Sequence, residues 1–242
     1  GSRVPRSLTS IEPVTTPPLC VSRVPIFAGL SAEEQLEVHE LARPRRVADG
    51  ERVYAEGGPT ASLLVVNSGR LRLSRSNREG AEQLLRVLAP GGFVGVEAFL
   101  TGAHPGHSAT AMGDTVLCEF RHADLGGLLE RYPGIAAAML AALAEQLSRT
   151  EDRLVAQTLE PVERRVADYL VSLPATPDPR GLRIELPLAK KDVASYLGTS
   201  PESLSRSLRA LTEAGVLEAL GPRGILVLDP MALEELSSRG GE

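Results

Sequence analysis

The chain has 242 residues, 43% hydrophobic and 24% charged, enough to bury one large or two modest cores and too apolar to be disordered throughout. Its formal net charge of −5 excludes a protein coated in basic residues, and residues 160–242 carry 10 Lys+Arg against 13 Asp+Glu, so any nucleic-acid contact has to come from a local patch. Aromatics at 3% and the absence of Trp argue against a stacking platform for single strands, and two cysteines suit a reducing compartment better than a disulfide scaffold.

No apolar run approaches the roughly 18 residues a membrane span needs, so no membrane partner is expected. The start, GSRVPRSLTS, lacks the apolar core of a signal peptide, and a cytoplasmic location follows as an expectation. Residues 1–18, rich in Pro, Ser and Thr, read as a disordered tail. From Cys20 the text changes. Ser31 followed by Glu34 has capping-box spacing and predicts a helix start, with Leu36 and Leu41 helping to supply the apolar side.

Residues 45–122 read as many short strands. Leu71 and Leu73 alternate with Arg70 and Arg72. Turn residues punctuate at Gly50, Gly57-Gly58, Asn67-Ser68-Gly69, Gly80, Pro90-Gly91-Gly92 and Gly113-Asp114. Even spacing of this kind predicts a barrel or jelly roll. A β-rich domain over 19–132 follows.

A short helix is predicted over 124–130, and Pro133 restarts the chain. Residues 135–159 form a long helix. Ile135, Met139, Ala142, Leu143, Leu147 and Leu154 fall near heptad spacing, and the surrounding alanines permit close approach, so residues 133–160 are expected to dimerise the protein. The alternative is that this helix packs only on its own roll. Pro161 marks a domain boundary, followed by an amphipathic helix over 162–173, a loop over 174–181 and a strand over 182–187.

The stretch LAKKDVASYLGTSPESLSRSLRALTEAGVL, residues 188–217, carries the most information. Val193, Ala194 and Leu197 give a first helix its apolar face, and Gly198-Thr199 break it. Ser200 suits an N-cap and Pro201 the first helical position. In the second helix Leu204, Leu208 and Leu211 share one face, while Glu202, Ser205, Arg206 and Arg209 share the opposite one. A helix–turn–helix sets such an outward face in the major groove of double-stranded DNA. Arg206 can bond O6 and N7 of guanine, Glu202 can accept from an exocyclic amine, and Ser205 can bond or pack beside a thymine methyl. Lys190, Lys191 and Arg209 suit phosphates, and Thr199 and Ser200 at the helix start are further DNA-binding candidates. A hairpin then follows (216–220 and 225–228, with Arg223 at its tip), and a short helix over 231–236 closes a winged helix spanning 161–242.

YLGTSPESLSRSLRALTEAGVL resembles the recognition segment of the CRP/FNR family of bacterial transcription regulators. Glu202-x-x-Ser205-Arg206 resembles its FNR branch; the CRP branch has Arg where this chain has Pro201. CVSRVPIFAGLSAEEQLEVHELA resembles the entry of the family's sensor domains, and GGFVGVEAFLTGAHPGHSATA with TVLCEF resembles the FNR branch again. The resemblance implies an α+β protein: an N-terminal cyclic-nucleotide-binding-type β-roll, a long dimerisation helix and a C-terminal winged helix–turn–helix. It further implies a homodimer on TTGAT and ATCAA half-arms, RNA polymerase as a partner, and a redox or gaseous signal.

The sensor departs from the family's patterns. Cyclic-nucleotide receptors clamp the phosphate with Glu and an Arg-Ser or Arg-Thr pair, but here Glu97 is one place late and His107 precedes Ser108. Cys118 matches a cluster-ligating position of FNR proteins and Cys20 the end of their N-terminal cysteine group. Two thiols fall short of the four a [4Fe–4S] cluster takes. The resemblance also allows a Cys20–Cys118 thiol–disulfide switch. Equally, Cys118 reads as a small core residue beside Val116 and Phe120, and Cys20 as a lightly packed thiol. His104 and His107, in a Gly/Pro loop, could hold a metal or haem iron, or simply face solvent. No cofactor is assigned, and no catalytic motif supports an enzyme.

Overall fold

The computed structural model describes residues 20–238. The reading of residues 1–18 therefore lies outside the described residues. Two 3-10 turns, Cys20–Arg23 and Pro25–Phe27, lead into helix α1 (Ala32–Leu41). Strands β1 (Arg43–Val47), β2 (Arg52–Tyr54), β3 (Ser62–Ser76), β4 (Glu82–Leu88) and β5 (Phe93–Val94) follow, then helix α2 (Val96–Thr101) and strand β6 (Ser108–Arg121). Helices α3 (His122–Arg131), α4 (Pro133–Leu159) and α5 (Val162–Ser172) lead to hairpin β7 (Ala175–Asp178) and β8 (Gly181–Glu185). The chain continues through α6 (Lys190–Tyr196), α7 (Pro201–Glu213), β9 (Leu217–Leu220), β10 (Gly224–Val227) and α8 (Pro230–Ser238).

The first sheet is antiparallel, ordered β1-β6-β3-β4, with β2 added to β6 and β5 to β3. The continuous apolar run in β3 has a plain cause. Leu64 and Val66 face the roll interior with Leu71, Leu73 and Leu117, while Leu63 and Val65 face a second core with Phe27, Cys118, Phe120, Ile135 and Met139. A strand buried on both faces loses the apolar–polar alternation of a half-exposed one.

Two predicted turns are not turns. Residues 67–69 lie inside β3 and residues 113–114 inside β6, so two long bent strands replace several short ones. The β3–β6 register shifts between Val66 and Ser68 and again before Arg70. Gly69 sits there at φ +79°, and a Cβ on it would come within 2.4 Å of Thr115 Oγ1. That hydroxyl donates to the Arg70 carbonyl at 3.1 Å and accepts its N–H at 3.3 Å. The glycine and hydroxyl thus build a β-bulge that curls the sheet without ending it.

Ser31 forms a full capping box with Glu34 at the start of α1, but the apolar side differs from expectation. Leu36 and Leu41 are exposed, and Val38 is the side chain buried there. The heptad reading of α4 also needs correction. Ile135 and Met139 are buried against the roll, with Leu143 packed partly on it, whereas Leu140, Leu147 and Leu154 are 65%, 59% and 62% exposed. Ile135 and Leu154, both in the predicted stripe, point about 100° apart on a straight helix, so that stripe ran from the roll-facing side onto the exposed one. The exposed face reads Ala137, Leu140, Ala144, Leu147, Glu151, Leu154, alternating in steps of three and four.

The second sheet runs β7-β8-β10-β9 and packs under α5 to α8. The segment 174–181, expected as a loop, contributes β7. It is an edge strand, where Pro177 removes no inner ladder bond. Among the described residues no helix is long and apolar enough to cross a membrane.

Candidate nucleic-acid interface

Helices α6 and α7 meet across a tight turn. Gly198 takes φ +65°, the Thr199 N–H returns to the Ala194 carbonyl at 3.0 Å, and the Gly198 N–H to Ser195 at 3.1 Å. The left-handed glycine closes α6. Behind it the buried Arg165 of α5 donates to the Leu197 carbonyl and, at 3.4 Å, to that of Gly198. A guanidinium at a helix C-terminus satisfies its orphan carbonyls and complements its dipole. Ser200 caps α7 by accepting the Ser203 N–H at 3.1 Å, with Pro201 in the first turn.

The two faces of α7 separate as the spacing predicts. Leu204 and Leu211 are buried and Leu208 half-buried, while Glu202, Ser205, Arg206 and Arg209 are all exposed. Ser200 is exposed at the helix start, with Thr199 half-exposed before it. Lys190 and Lys191 are exposed at the first turn of α6, where a helix N-terminus favours phosphate. Arg223 is exposed in the β9–β10 turn, and its carbonyl accepts the Leu186 N–H at 2.9 Å.

One side chain beside the expected site escapes the face-by-face reading. Ser203 Oγ accepts from the Arg206 guanidinium at 2.8 Å and from the Ser200 hydroxyl at 3.1 Å. The cap, the serine one turn on and the arginine expected to face DNA thus form one relay that restrains Arg206. The i, i+3 spacing of 200, 203 and 206 was the available signal.

The helix–turn–helix also rests on the sensor. Gln83 Nε2 donates to the Ser195 carbonyl at 2.7 Å, and the Leu84 N–H to Ser195 Oγ at 2.9 Å. Arg72 pairs with Asp192 on α6 and with Glu82. Arg153 of α4 donates to the Leu85 carbonyl and lies 4.9 Å over the Tyr196 ring.

In the sensor domain, Cys118 is buried on the face of β6 turned away from the roll interior, opposite Pro44 and Val65 and in the same cluster as Val21. The Cys20 backbone opens the first 3-10 turn, but its side chain lies outside the described residues. Among the described residues no group of three or more His, Cys, Asp or Glu could hold a metal. With two cysteines in the chain, a four-thiolate cluster does not fit one protomer. His104 is exposed and His107 half-buried, its Nε2 bonded to the Tyr54 hydroxyl at 2.7 Å. Burial, then the Arg86 guanidinium, holds His107 below the usual histidine range. Burial pushes the Tyr54 phenol above its ordinary range, so Tyr54 keeps its proton and shares a hydrogen bond with the His107 imidazole. A neutral His107 cannot supply the cation that a cyclic phosphate needs at the position before Ser108.

A β-roll, a long helix and a winged helix with a polar outward recognition helix define a DNA-binding transcription regulator. A cyclic nucleotide-binding domain matches residues 44–132 and a Crp-like helix-turn-helix domain residues 164–236. The chain is 32% identical to the cyclic AMP receptor protein of Thermus thermophilus over 213 residues, covering 88% of this chain and 96% of that one. It is 29% identical to the nitrogen fixation regulation protein FixK of Bradyrhizobium diazoefficiens over 220 residues, 88% and 90% of the two chains. The structure of FixK2 from Bradyrhizobium japonicum superposes with a TM-score of 0.68 at 25% identity, over 81% of this chain and 98% of that one. The chain belongs to the CRP/FNR family of transcription regulators, and these relatives are regulators rather than enzymes.

Proposed function

We propose that this regulator binds a two-fold DNA site with TTGAT and ATCAA half-arms as a homodimer, responds to a redox or gaseous signal, and acts with RNA polymerase. The outward face of α7 carries the reading: Glu202, Ser205, Arg206 and Arg209 are exposed together, with Arg206 restrained by Ser203. Arg206 and Glu202 read bases, while Lys190, Lys191, Arg209, Thr199, Ser200 and Arg223 supply backbone contacts. Dimerisation is supported by the exposed Leu140, Leu147 and Leu154 stripe, since a two-fold site calls for a two-fold protein. A redox signal is supported by the sequence resemblance around Cys118. Fluorescence anisotropy against a TTGAT/ATCAA duplex and a scrambled duplex, with thiol-reduced and oxidised protein, tests the reading. Specific binding is expected, changing on oxidation. Equal affinity for both duplexes removes the half-site assignment, and specific binding indifferent to oxidation removes the redox signal.

A further inference from the structure

Helix α4 ends at Leu159, and two extended residues, Glu160 (ψ 141°) and Pro161 (ψ 152°), join it to α5. Proline has no N–H to donate, so the helical ladder of α4 stops at the joint. The direction in which the DNA-binding helices leave α4 then rests on side-chain contacts. Gln157, near the end of α4, donates from Nε2 to the Tyr196 carbonyl at the end of α6 at 3.1 Å. Its stem covers Gly198 in the turn, where a Cβ would lie 2.7 Å from Gln157 Cδ. Arg153, four residues earlier on the same face of α4, lies 4.9 Å over the Tyr196 ring. Two residues of one helix thus grip Tyr196 at ring and carbonyl. The next two carbonyls, of Leu197 and Gly198, accept from Arg165 of α5. A helix C-terminus leaves its last carbonyls without intrahelical partners, and here groups from outside the helix–turn–helix take them. The contacts with β4 tie α6 to the roll, whereas Gln157 and Arg153 tie it to the helix that carries the exposed Leu140, Leu147 and Leu154.

We propose that Gln157, supported by Arg153, is a positioning residue that sets the spacing the protein accepts between two DNA half-sites. On the reading of the protein as a homodimer on a two-fold site, on which this role depends, α4 fixes where the two-fold axis lies and α7 where the bases are read. Gln157 links the first to the turn that precedes the second. One base pair added between half-sites moves them about 3.4 Å apart and turns them about 34° around the duplex. A rigid link matches one such arrangement, and a loosened link matches several. The contacts of Gln157, the Tyr196 carbonyl and Gly198, lie before α7 in the chain, so the residue governs spacing and leaves the bases read to the outward face of α7.

The test selects binding sites from a pool of duplexes of random sequence, using the full chain as parent, as Gln157→Ala and as the Gln157→Ala, Arg153→Met double variant, each checked by thermal melting. The parent is expected to recover paired inverted arms at one dominant spacing. In Gln157→Ala, spacings one base pair shorter or longer should gain about fivefold relative to the dominant one, as for the loss of one hydrogen bond, and more in the double variant. The arm sequence itself should stay the same. Arms other than TTGAT and ATCAA, still paired at one spacing, correct the half-site assignment and leave the role of Gln157 to be read from the same pools. Unpaired arms in the parent pool overturn the two-fold reading and this role with it. Paired arms in the parent with an unchanged spacing distribution in both variants overturn the role of Gln157 alone. So does a change of arm sequence, or a loss of all sites, in a variant that melts like the parent.

Discussion

Arg72 of the sensor sheet and Asp192 of the first helix of the DNA-binding motif lie 2.9 Å apart, with side chains only 19% and 11% exposed. The pair ties the roll to the helix–turn–helix within one chain. Asp192 stands in the first turn of α6, where the helix dipole also favours its charge. Removing Arg72 leaves a buried carboxylate without its cation. Arg72→Met is expected to destabilise the protein by about 3 kcal/mol, read as a lowered urea midpoint. A change under about 0.5 kcal/mol would show the pair to be energetically idle, as exposed pairs often are.

Base reading should be separable from the restraint behind it. Arg206→Ala is expected to cost about 1–3 kcal/mol in DNA affinity and relax preference at one base pair. Ser203→Ala removes only the hydroxyl that holds the guanidinium. It should cost less than Arg206→Ala and nothing further when combined with it. Additive losses in that double-mutant cycle would mean that Ser203 acts on DNA by another route.

The exposed stripe on α4 predicts a clean change of assembly. Leu147 is 59% exposed, so Leu147→Asp should leave the fold intact and shift the protein to monomer in sedimentation velocity. Glu151 sits on the same face between Leu147 and Leu154 and would bring like charges together across a parallel seam. Glu151→Leu should therefore tighten association. A dimer unmoved by Leu147→Asp would place the interface elsewhere.

His107 predicts a pH dependence. Its surroundings are the Tyr54 hydroxyl, the Arg86 guanidinium, and the Glu97 and Glu56 carboxylates, which oppose the net lowering. Because its folded pKa lies below the ordinary value of 6.5, the unfolded chain binds the proton first as pH falls. The stabilisation is complete above 6.5 and is lost as pH drops from there through the lower folded value. His107→Gln should flatten urea midpoints measured between about pH 7 and about pH 5 relative to the parent. A parallel pH profile in the variant would assign the dependence to other groups.

Much of this was legible in the sequence because local chemistry and tertiary context agreed. Ser200-Pro201, the leucines at 204, 208 and 211, and the glycine at 198 each specify their own geometry. The bulges at Gly69 and Gly113 were misread as turns because a positive-φ glycine serves either purpose; at Gly69 the close approach of Thr115 from β6 marks the bulge. On α4, Ile135 and Leu140 look alike in sequence, and only the position of the roll decides which is buried. The Arg72–Asp192 pair joins residues 120 positions apart, which no periodicity reveals.

Leu84, on the sensor's β4 strand, belongs to the same buried cluster as Val166, Leu170, Val193, Ala194 and Leu197. The DNA-binding domain thus borrows part of its interior from the domain that senses. A displacement of β4 withdraws a core side chain, and vacating a buried leucine site is worth about 2–5 kcal/mol. Such a movement would act on the recognition helices as a reversible cavity mutation does, loosening their packing from within while leaving every DNA-facing residue in the sequence unchanged.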